Sequence, residues 1–275
     1  MLTSRRRYWR EILGVELRFW VRERWINDWI DRTDFFFILG LGRSGTRFLA
    51  RLLDQTADAQ VVHEPLRADF VAYRRAFHND DEAQRYLRQF RKKEIYLRAR
   101  ERRTDIYGEV NSLLRRHAAA LQETFPKATL LHLIRDGRDV IRSMMARRTL
   151  MPGDPSTIGI RPADNDPWAE KWPEMDRFSQ LCWYWRTENR YLRKTIQGPA
   201  VQFELILNEY DYFQARVLEP CHLELPSTVW QQAVERPTNV TMHHQLPPWE
   251  AWSPSRRQTF LQICGEEMEE NGYKI

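Results

Sequence analysis

The feature that most constrains this chain is an apolar run that enters a glycine-rich turn and continues into a helical pattern. Residues 35–39 read Phe-Phe-Phe-Ile-Leu, which is typical of a strand buried on both faces of a parallel sheet. The turn follows as residues 40–46, Gly-Leu-Gly-Arg-Ser-Gly-Thr, and apolar residues then recur at helical spacing from Phe48 to Leu53. A strand, a glycine turn and a helix N-terminus in this order place backbone N–H groups around an anion. The segment therefore predicts an α/β fold with a phosphate-binding loop.

Two nucleotide-binding patterns nearly fit this turn. Gly40, Gly42 and Gly45 satisfy G-x-G-x-x-G, and Glu64 follows Gly45 by 19 residues, where a dinucleotide-binding fold carries its ribose-binding acid. The spacing of Gly40 and Gly45 also matches a nucleoside triphosphate loop, but Thr46 follows Gly45 with no Lys between them. The turn by itself leaves the class of nucleotide open.

A second segment, residues 129–143, narrows the class of nucleotide that the fold can bind. Its first six residues are an apolar, β-rich run, and the next are Arg-Asp-Gly-Arg-Asp-Val-Ile-Arg-Ser. A strand here delivers Arg135 to the carboxyl edge of the sheet, where ligands bind in open α/β folds. Asp136 or Asp139 is a candidate cap for the following helix. Arg135 and Ser143 can meet one phosphate only if Arg135 reaches along that helix, about two turns.

At this point the sequence resembles the sulfotransferase family, which uses 3′-phosphoadenosine-5′-phosphosulfate (PAPS). The loop at residues 42–46 looks like the family's 5′-phosphosulfate loop, and residues 134–143 look like its 3′-phosphate motif. A third match lies near the C-terminus, where Trp249 and Trp252 precede Ile263-Cys264-Gly265 and a Gly-Tyr pair at residues 272–273. The resemblance spans residues 35–273, with three motifs in the expected order.

The resemblance implies a mainly parallel central sheet flanked by helices, with a P-loop-like nucleotide-binding core. It also implies a set of cofactor-binding residues: Gly42, Arg43, Ser44, Gly45, Thr46, Arg47, Phe48, Arg135 and Ser143. Arg43 would offset charge on the bridging oxygen as the S–O bond breaks. Phe48 lies where a Trp often stacks on the adenine. Arg135 and Ser143 would bind the 3′-phosphate.

The catalytic base is expected at the end of the second predicted strand, in Val-Val-His-Glu-Pro at residues 61–65. The resemblance places the base of many carbohydrate-type members at Glu64, where a carboxylate can take the proton of an incoming hydroxyl. His63 is the rival, because an imidazole titrates nearer neutral pH. Glu109 and Asn111, after another short strand, are further candidates for orienting the acceptor.

Some residues depart from the family's pattern. The tyrosine-glutamate-aspartate-leucine stretch appears as Phe-Glu-Leu-Ile-Leu at residues 203–207, without the aspartate. Residues 236–239, Arg-Pro-Thr-Asn, stand where cytosolic members carry a late Arg-Lys-Gly signature. The acceptor is least defined: residues 150–172 predict a long irregular loop, in which Trp168 and Trp172 either stack on a sugar or fill the core. His243 and His244 lack a third ligand, so no metal is expected.

Charge and composition exclude several other classes. The net charge of +5 is regional, because residues 67–116 hold 14 basic and 8 acidic residues and residues 201–275 hold 5 basic and 11 acidic ones. This favours ion-paired helices or an anion-facing wall over a nucleic-acid-binding protein. Three cysteines without a close pair indicate a reducing compartment.

The N-terminal segment carries a different pattern. No apolar stretch reaches the length of a transmembrane helix, and charges interrupt any signal-peptide core. Residues 1–34 alternate Trp, Leu and Ile with Arg and Glu, which predicts an amphipathic helical extension to a sulfotransferase domain at residues 35–275. Such a helix packs on the domain, on a second subunit in a homodimer, or on a membrane surface as a peripheral contact. The protein is predicted to be cytoplasmic, and the alternative is a cytoplasmic protein associated with a membrane.

These observations together predict a PAPS-dependent sulfotransferase. PAPS would be the sulfonate donor and no metal would be required, and the partner would be a hydroxyl-bearing carbohydrate, glycolipid or small metabolite rather than nucleic acid. Two alternatives remain from the residues alone. One is an NAD-linked oxidoreductase that uses the G-x-G-x-x-G turn, and the other is a binding module for nucleic acid or a membrane surface.

Overall fold

The computed structural model describes residues 23–100, 104–154, 157–236 and 245–275. Within them lie the strands β1 (Asp34–Gly40), β2 (Ala59–His63), β3 (Ile106–Asn111), β4 (Thr129–Ile134) and β5 (Val201–Gln202). They form one parallel sheet in the order β2-β3-β1-β4-β5. The predicted α/β class with a mainly parallel sheet is confirmed.

Helices connect the strands and cover both faces of the sheet. They are α1 (Glu23–Ile30), α2 (Thr46–Leu53), α3 (Ala68–Ala76), α4 (Asp80–Tyr86), α5 (Lys92–Ala99), α6 (Ala118–Thr124), α7 (Gly137–Met145), α8 (Arg177–Thr195), α9 (Phe203–Asn208), α10 (Tyr210–Phe213), α11 (Ser227–Val234) and α12 (Pro254–Glu270). Short 3₁₀ turns occur at Arg115–His117, Trp172–Glu174 and Trp249–Ala251, and π-helical turns at Leu87–Arg91 and Gln214–Leu218.

The position of β1 in the centre of the sheet explains why its sequence is apolar throughout. Successive side chains of a strand point to opposite faces of the sheet, and both faces of β1 are covered. Phe36 and Ile38 pack in one buried cluster with α2 and the segment after β5. Phe35, Phe37 and Leu39 pack in the other with α1, α5 and α6. All five side chains are therefore buried, which an alternating polar pattern would not allow.

A third buried cluster joins the C-terminal helix to the sheet. It contains Trp185 of α8 and Phe260 and Cys264 of α12. The Cys264 thiol lies 3.4 Å from the Cys182 carbonyl oxygen, to which it donates, and Gly137 at the start of α7 allows the Trp185 ring to approach, since a Cβ there would lie 3.0 Å from it. The Ile-Cys-Gly segment at residues 263–265 thus serves the packing of α12 on α8.

The first described helix, α1, packs on the domain. Ile26 and Ile30 are buried, and the Trp29 ring lies edge-on to Phe35 at 5.0 Å and to Tyr96 at 5.1 Å between centroids. Residues 1–22 of the predicted extension lie outside the described residues, so its boundary at residue 34 stays a prediction. No helix in the described part of the chain is both long and apolar enough to cross a membrane.

The strand order matters for the site. The carboxyl ends of parallel strands share one edge of the sheet, so the residues that follow β1, β2, β3 and β4 lie near one another. Those residues include the glycine turn, Glu64, Ser112 and Arg135. Because β3 lies between β1 and β2, Ser112 is placed between the turn and Glu64.

Candidate functional site

The glycine turn is a tight loop between β1 and α2. The Ser44 amide donates to the Leu41 carbonyl at 3.1 Å, and Arg43 and Gly45 have left-handed backbones, with φ of 78° and 88°. Gly45 is the N-cap of α2 and has no side chain to accept the first N–H groups of the helix. A Cβ at Gly45 would also lie 2.1 Å from the Phe203 ring. Glycine is therefore required at position 45 for two reasons: the backbone is left-handed, and the Phe203 ring leaves no room for a side chain.

A cavity of about 230 Å³ lies in front of this turn. Its lining comes from the segments that follow all five strands, since Phe203 at the start of α9 follows β5 directly. The lining residues are Gly42, Arg43, Gly45, Thr46, Arg47, Phe48, His63, Glu64, Ser112, Arg135 and Phe203. Nine of these eleven are sequence-predicted site residues, namely all of them except Ser112 and Phe203. The structure thus brings the predicted phosphate loop, the base candidates and Arg135 into one pocket. We call it the phosphate pocket.

The phosphate pocket concentrates positive charge. Burial lowers the pKa of the Arg43 guanidinium, and the neighbouring charges of Arg147, Arg135 and Arg47 lower it further. Like charges held together raise the free energy of the site without an anion, and a bound anion relieves that repulsion. The pocket is therefore electrostatically prepared for a negatively charged ligand.

Arg43 connects the two anion motifs. Its Nε donates to the Ser143 Oγ at 2.9 Å, and its carbonyl oxygen accepts from the Arg135 guanidinium at 3.4 Å. Arg135 also pairs with Asp139 at 2.8 Å, and its Nε is buried with no hydrogen-bond partner among the described residues. Arg135 and Ser143 therefore lie at one place because both contact Arg43. Ser44 is buried beneath the turn, and its Oγ likewise has no partner within the described ranges.

The start of α7 is held by a separate set of contacts. The Asp136 carboxylate caps the helix by accepting from the Arg138 amide at 2.8 Å, as one of the two candidate caps was expected to do. The Asp136 amide donates to Glu204 at 2.9 Å, and the Tyr273 hydroxyl donates to the other Glu204 oxygen at 2.9 Å. Burial raises the pKa of Glu204. The Gly-Tyr motif at the C-terminus therefore supports the strand end that carries Arg135.

Glu64 is fixed by the end of β3. Its Oε1 accepts from the Ser112 amide at 3.3 Å and from the Ser112 hydroxyl. The Glu64 backbone is left-handed, with φ of 42°, an uncommon angle for a residue other than glycine. Strained backbones of this kind are concentrated at functional sites. One carboxylate oxygen is thus held by Ser112, while the residue lines the phosphate pocket.

His63 contacts the phosphate loop directly. Its Nε2 lies 3.1 Å from the Thr46 Oγ1 and 3.8 Å from the Glu64 Oε1. Burial lowers the pKa of His63, the Glu64 charge partly opposes this, and Arg47 and Arg51 lower it further. Its ring is therefore neutral at pH 7, and its hydrogen bond to Thr46 orients that hydroxyl.

Glu109 and Asn111, the further candidates for orienting an acceptor, lie within β3 rather than after a strand, and neither lines the phosphate pocket. Both are fully buried, and Glu109 pairs with Arg91 at 2.6 Å. Asn111 accepts the Leu113 amide at 2.8 Å and donates to Glu109 at 3.2 Å. The expectation that they meet an acceptor is not met, because their side chains satisfy an internal ion network. Asn111 instead shapes the turn that carries Ser112.

The predicted acceptor loop is irregular over its described residues. Between α7 and the 3₁₀ turn at Trp172–Glu174, no helix or strand occurs in residues 146–154 and 157–171. Trp172 packs against Trp183, with ring centroids 4.8 Å apart, and Trp168 also packs on the third core cluster. Of the two predicted roles for these tryptophans, the structure shows the packing one.

Metal ligands are not assembled in the described residues. No group of three or more His, Cys, Asp or Glu side chains there could hold a metal ion. His243 and His244, and residues 237–239 of the late-signature region, lie outside the described residues.

The sequence interpretation missed Ser112, Phe203 and Arg147. Ser112 follows β3 just as Glu64 follows β2, so its place after a strand was a usable signal. Phe203 likewise follows β5, but that strand is only two residues long and gives a weak sequence pattern. Arg147 carries no such signal, because its approach to the phosphate loop depends on how the segment after α7 packs.

Comparison with known proteins matches residues 36–182 to the sulfotransferase family. Among solved structures, the chain is similar to the sulfotransferase STF9 from Mycobacterium avium, with a TM-score of 0.52 and 14% identity over 92% of this chain and 81% of that one. It also aligns with a sulfotransferase from Alicyclobacillus acidocaldarius, with a TM-score of 0.45 and 16% identity over 87% of this chain and 96% of that one. None of the curated proteins is significantly similar in sequence. The family match covers more than half of the chain, and the first structure shares its fold.

Proposed function

The chain belongs to the sulfotransferase family, and we propose that it transfers a sulfonate group from PAPS to the hydroxyl of a carbohydrate, glycolipid or small metabolite. The observation that carries this proposal is the phosphate pocket itself. There the glycine turn, Arg43 and Arg135 face one cavity, and burial together with neighbouring guanidinium groups lowers the pKa of Arg43. A nucleotide with phosphates at both ends and a sulfonate would supply the negative charge that this pocket lacks.

The residues present fit such a donor. The Ser44 Oγ and the Arg135 Nε are buried polar atoms without a hydrogen-bond partner among the described residues, and unmade hydrogen bonds of this kind are costly. The first N–H groups of α2 and a Gly42 with open space above its Cα allow close backbone approach. PAPS, when bound, supplies a sulfonate joined to a good leaving group, the 5′-phosphate.

Each residue of the pocket then has a role. The backbone of residues 42–46 and the Thr46 hydroxyl bind the 5′-phosphosulfate end. Arg43 offsets negative charge on the bridging oxygen as the S–O bond breaks. Arg135 and Ser143 bind the 3′-phosphate, and the rings of Phe48 and Phe203, 5.9 Å apart, form the apolar wall for the adenine. Arg47 adds positive charge at the mouth.

Glu64 acts as the base. Its Oε1 accepts two hydrogen bonds from Ser112, so Oε2 is the oxygen that takes the proton of the acceptor hydroxyl during in-line transfer. His63 is less suited, because its Nε2 is engaged with Thr46 and burial disfavours its charged form. We therefore assign His63 to orienting Thr46.

The oxidoreductase alternative is disfavoured by topology. In a dinucleotide-binding fold the second strand lies beside the first, so its terminal acid meets the ribose. Here β3 separates β1 from β2, and Glu64 is held by Ser112. A binding module for nucleic acid or membrane explains neither the strained turn nor the engaged carboxylate. Contact with a membrane or a second copy through the N-terminal segment, and a cytoplasmic location, remain predictions from the sequence.

Donor binding can be tested with the by-product, adenosine 3′,5′-bisphosphate. We expect it to raise the melting temperature of the wild type and of Glu64→Gln, and to have no effect on Arg135→Ala, because Arg135 binds the 3′-phosphate. Arg138→Ala is the matched control, since Arg138 pairs with Asp136 at the same strand end but does not line the pocket. Stabilisation by NAD without stabilisation by the bisphosphate would disprove the proposal. Transfer of labelled sulfonate from PAPS into cell-extract fractions then identifies the acceptor class.

A further inference from the structure

A second cationic cavity lies on the flank of the domain. Arg186, Arg190 and Lys194 of α8 are four residues apart, so they form one row along the helix. At 1.5 Å per residue the row is about 12 Å long. It lines a cavity of about 390 Å³ together with Arg116 and His78. We call this cavity the flank pocket.

The flank pocket is separate from the phosphate pocket. The two share no lining residue. The Trp185 indole donates to the Arg135 carbonyl at 3.3 Å, while Asn189, one turn later, meets His132 within β4 at 3.1 Å. From Trp185 onward, α8 therefore runs away from the carboxyl edge of the sheet, and the row at 186–194 runs with it.

Carboxylates are outnumbered around this row. Among the residues that line the flank pocket, Asp166 is one carboxylate against four arginine and lysine side chains, and its two oxygens accept the Trp168 amide at 2.9 Å and the Trp183 indole at 3.2 Å. Arg190 has a distant carboxylate, Glu266, at 3.9 Å. Within the described part of the chain, neither Arg186 nor Lys194 has a carboxylate at ion-pair distance.

The remaining surroundings also point to an anion. Arg116 pairs with Glu188 at 2.7 Å, but Glu188 also pairs with Arg115, so one carboxylate is shared by two guanidinium groups. Burial lowers the pKa of His78, the charges of Arg116 and Arg161 lower it further, and the Arg161 carbonyl and Glu188 oppose this. Thr187 lines the cavity, and its Oγ1 is buried without a hydrogen-bond partner among the described residues. A bound oxyanion would accept a hydrogen bond from the hydroxyl and balance the charge of the row. It would also favour the charged form of the His78 ring.

We propose that the flank pocket binds a sulfate or phosphate group, as an anion site distinct from the phosphate pocket. Arg186, Arg190 and Lys194 supply the charge and Thr187 supplies a neutral donor. Phe77 and Trp183 form an apolar wall, which suits an oxyanion carried on a ring as well as a free ion. This site does not depend on the proposed sulfonate transfer.

The ring signals of His78 in NMR spectra test the site locally, and a His78→Gln variant assigns them. Because an anion beside an imidazole favours its charged form, millimolar inorganic sulfate should raise the pKa of His78 by at least about 0.5. Sodium chloride at equal ionic strength is the reference. The rise should be lost in Arg190→Gln and in Lys194→Gln, and kept in Arg88→Gln, which removes an exposed arginine paired with Glu123 elsewhere.

Phenyl phosphate distinguishes the two sources of the oxyanion. If phenyl phosphate moves the His78 signals at a lower concentration than sulfate does, the site binds an ester carried on a ring. If the two compounds act at the same concentration, a free ion is enough to occupy the site. Both outcomes support the site. No movement of the His78 signals, or an equal movement in Arg190→Gln, would overturn it. The measurement contains no donor nucleotide, so failed sulfonate transfer would leave its result unaffected.

Discussion

At the scale of single residues, the division of labour between His63 and Glu64 is decided by their neighbours. Both follow β2 and both line the phosphate pocket. Ser112 donates twice to one oxygen of Glu64, which orients the carboxylate, whereas the accessible nitrogen of His63 is engaged with Thr46. From this difference in orientation we expect Glu64, rather than His63, to act as the base, although the chemistry of either side chain suits that role.

Replacement of each residue tests this division. Glu64→Gln keeps the shape of the side chain and removes its basicity, so we expect kcat to fall by about 10²- to 10⁴-fold with bisphosphate binding retained. His63→Gln should mainly weaken donor binding, because it disturbs Thr46. Steady-state kinetics with PAPS gives both numbers. Normal turnover in Glu64→Gln, with none in His63→Gln, would make His63 the base.

We propose that Ser112 acts as a positioning residue, because its amide and hydroxyl both donate to Glu64. Ser112→Ala removes the hydroxyl donor and loosens the carboxylate, and misplacement of a reacting group is expensive. We expect kcat to fall by about 10- to 100-fold, with the KM for PAPS unchanged. Ser112→Thr, which restores a hydroxyl, should recover most of the activity. A parallel rise in KM for PAPS would instead indicate a role in donor binding.

At the scale of elements, the junction of β1 and α2 depends on two glycines for different reasons. Gly45 has a left-handed backbone and lies against Phe203, so its requirement is structural. Gly42 would tolerate a Cβ in the protein alone, since the nearest atom is the Ser112 Oγ at 3.8 Å. We therefore expect glycine at position 42 to be required by the bound donor nucleotide rather than by the fold.

Replacing each glycine by alanine tests the structural reason at Gly45 and the ligand-binding reason at Gly42 separately. Gly45→Ala should lower the free energy of unfolding by about 2–4 kcal/mol, from the left-handed backbone and the clash with Phe203. Gly42→Ala should leave unfolding nearly unchanged and weaken bisphosphate binding. Chemical denaturation and a bisphosphate titration measure the two effects. Equal stability of the two variants would contradict this account of the turn.

At the scale of the whole molecule, buried histidines make stability depend on pH. Burial lowers the pKa of His132 to about 4 and that of His117 to about 3. In the unfolded chain both titrate near 6.5, so protonation favours unfolding. Their contribution to the free energy of unfolding is complete above about pH 6.5 and is lost as the pH falls, down to about 4 for His132 and about 3 for His117.

A single substitution isolates one of these contributions. Between pH 7.5 and 4, His132→Gln should lose less stability than the wild type, by about 3 kcal/mol, because it has no proton to take up. His222→Gln is the control, since His222 is exposed and pairs only loosely with Asp34 at 3.5 Å. Urea denaturation across this range gives the values. Parallel pH profiles for His132→Gln and the wild type would show that His132 is not the titrating group.

The sequence by itself determined the local pieces of this protein. Apolar runs predicted β1 and β4, the glycine spacing predicted the turn, and strand ends predicted Arg135 and Glu64. These predictions succeed because the hydrogen bonds and backbone angles that make them lie between residues close in the chain.

Only the tertiary structure decided how these pieces meet. It placed β3 between β1 and β2, which brought Ser112 to Glu64, and it packed Phe203 against Gly45. It also buried Glu109, a residue whose position after a strand had predicted a role with the acceptor. Strand order and side-chain packing depend on contacts between distant segments, and the free energy that selects them comes from burying apolar surface on both faces of the sheet. A short sequence pattern therefore cannot predict the strand order or these packing contacts.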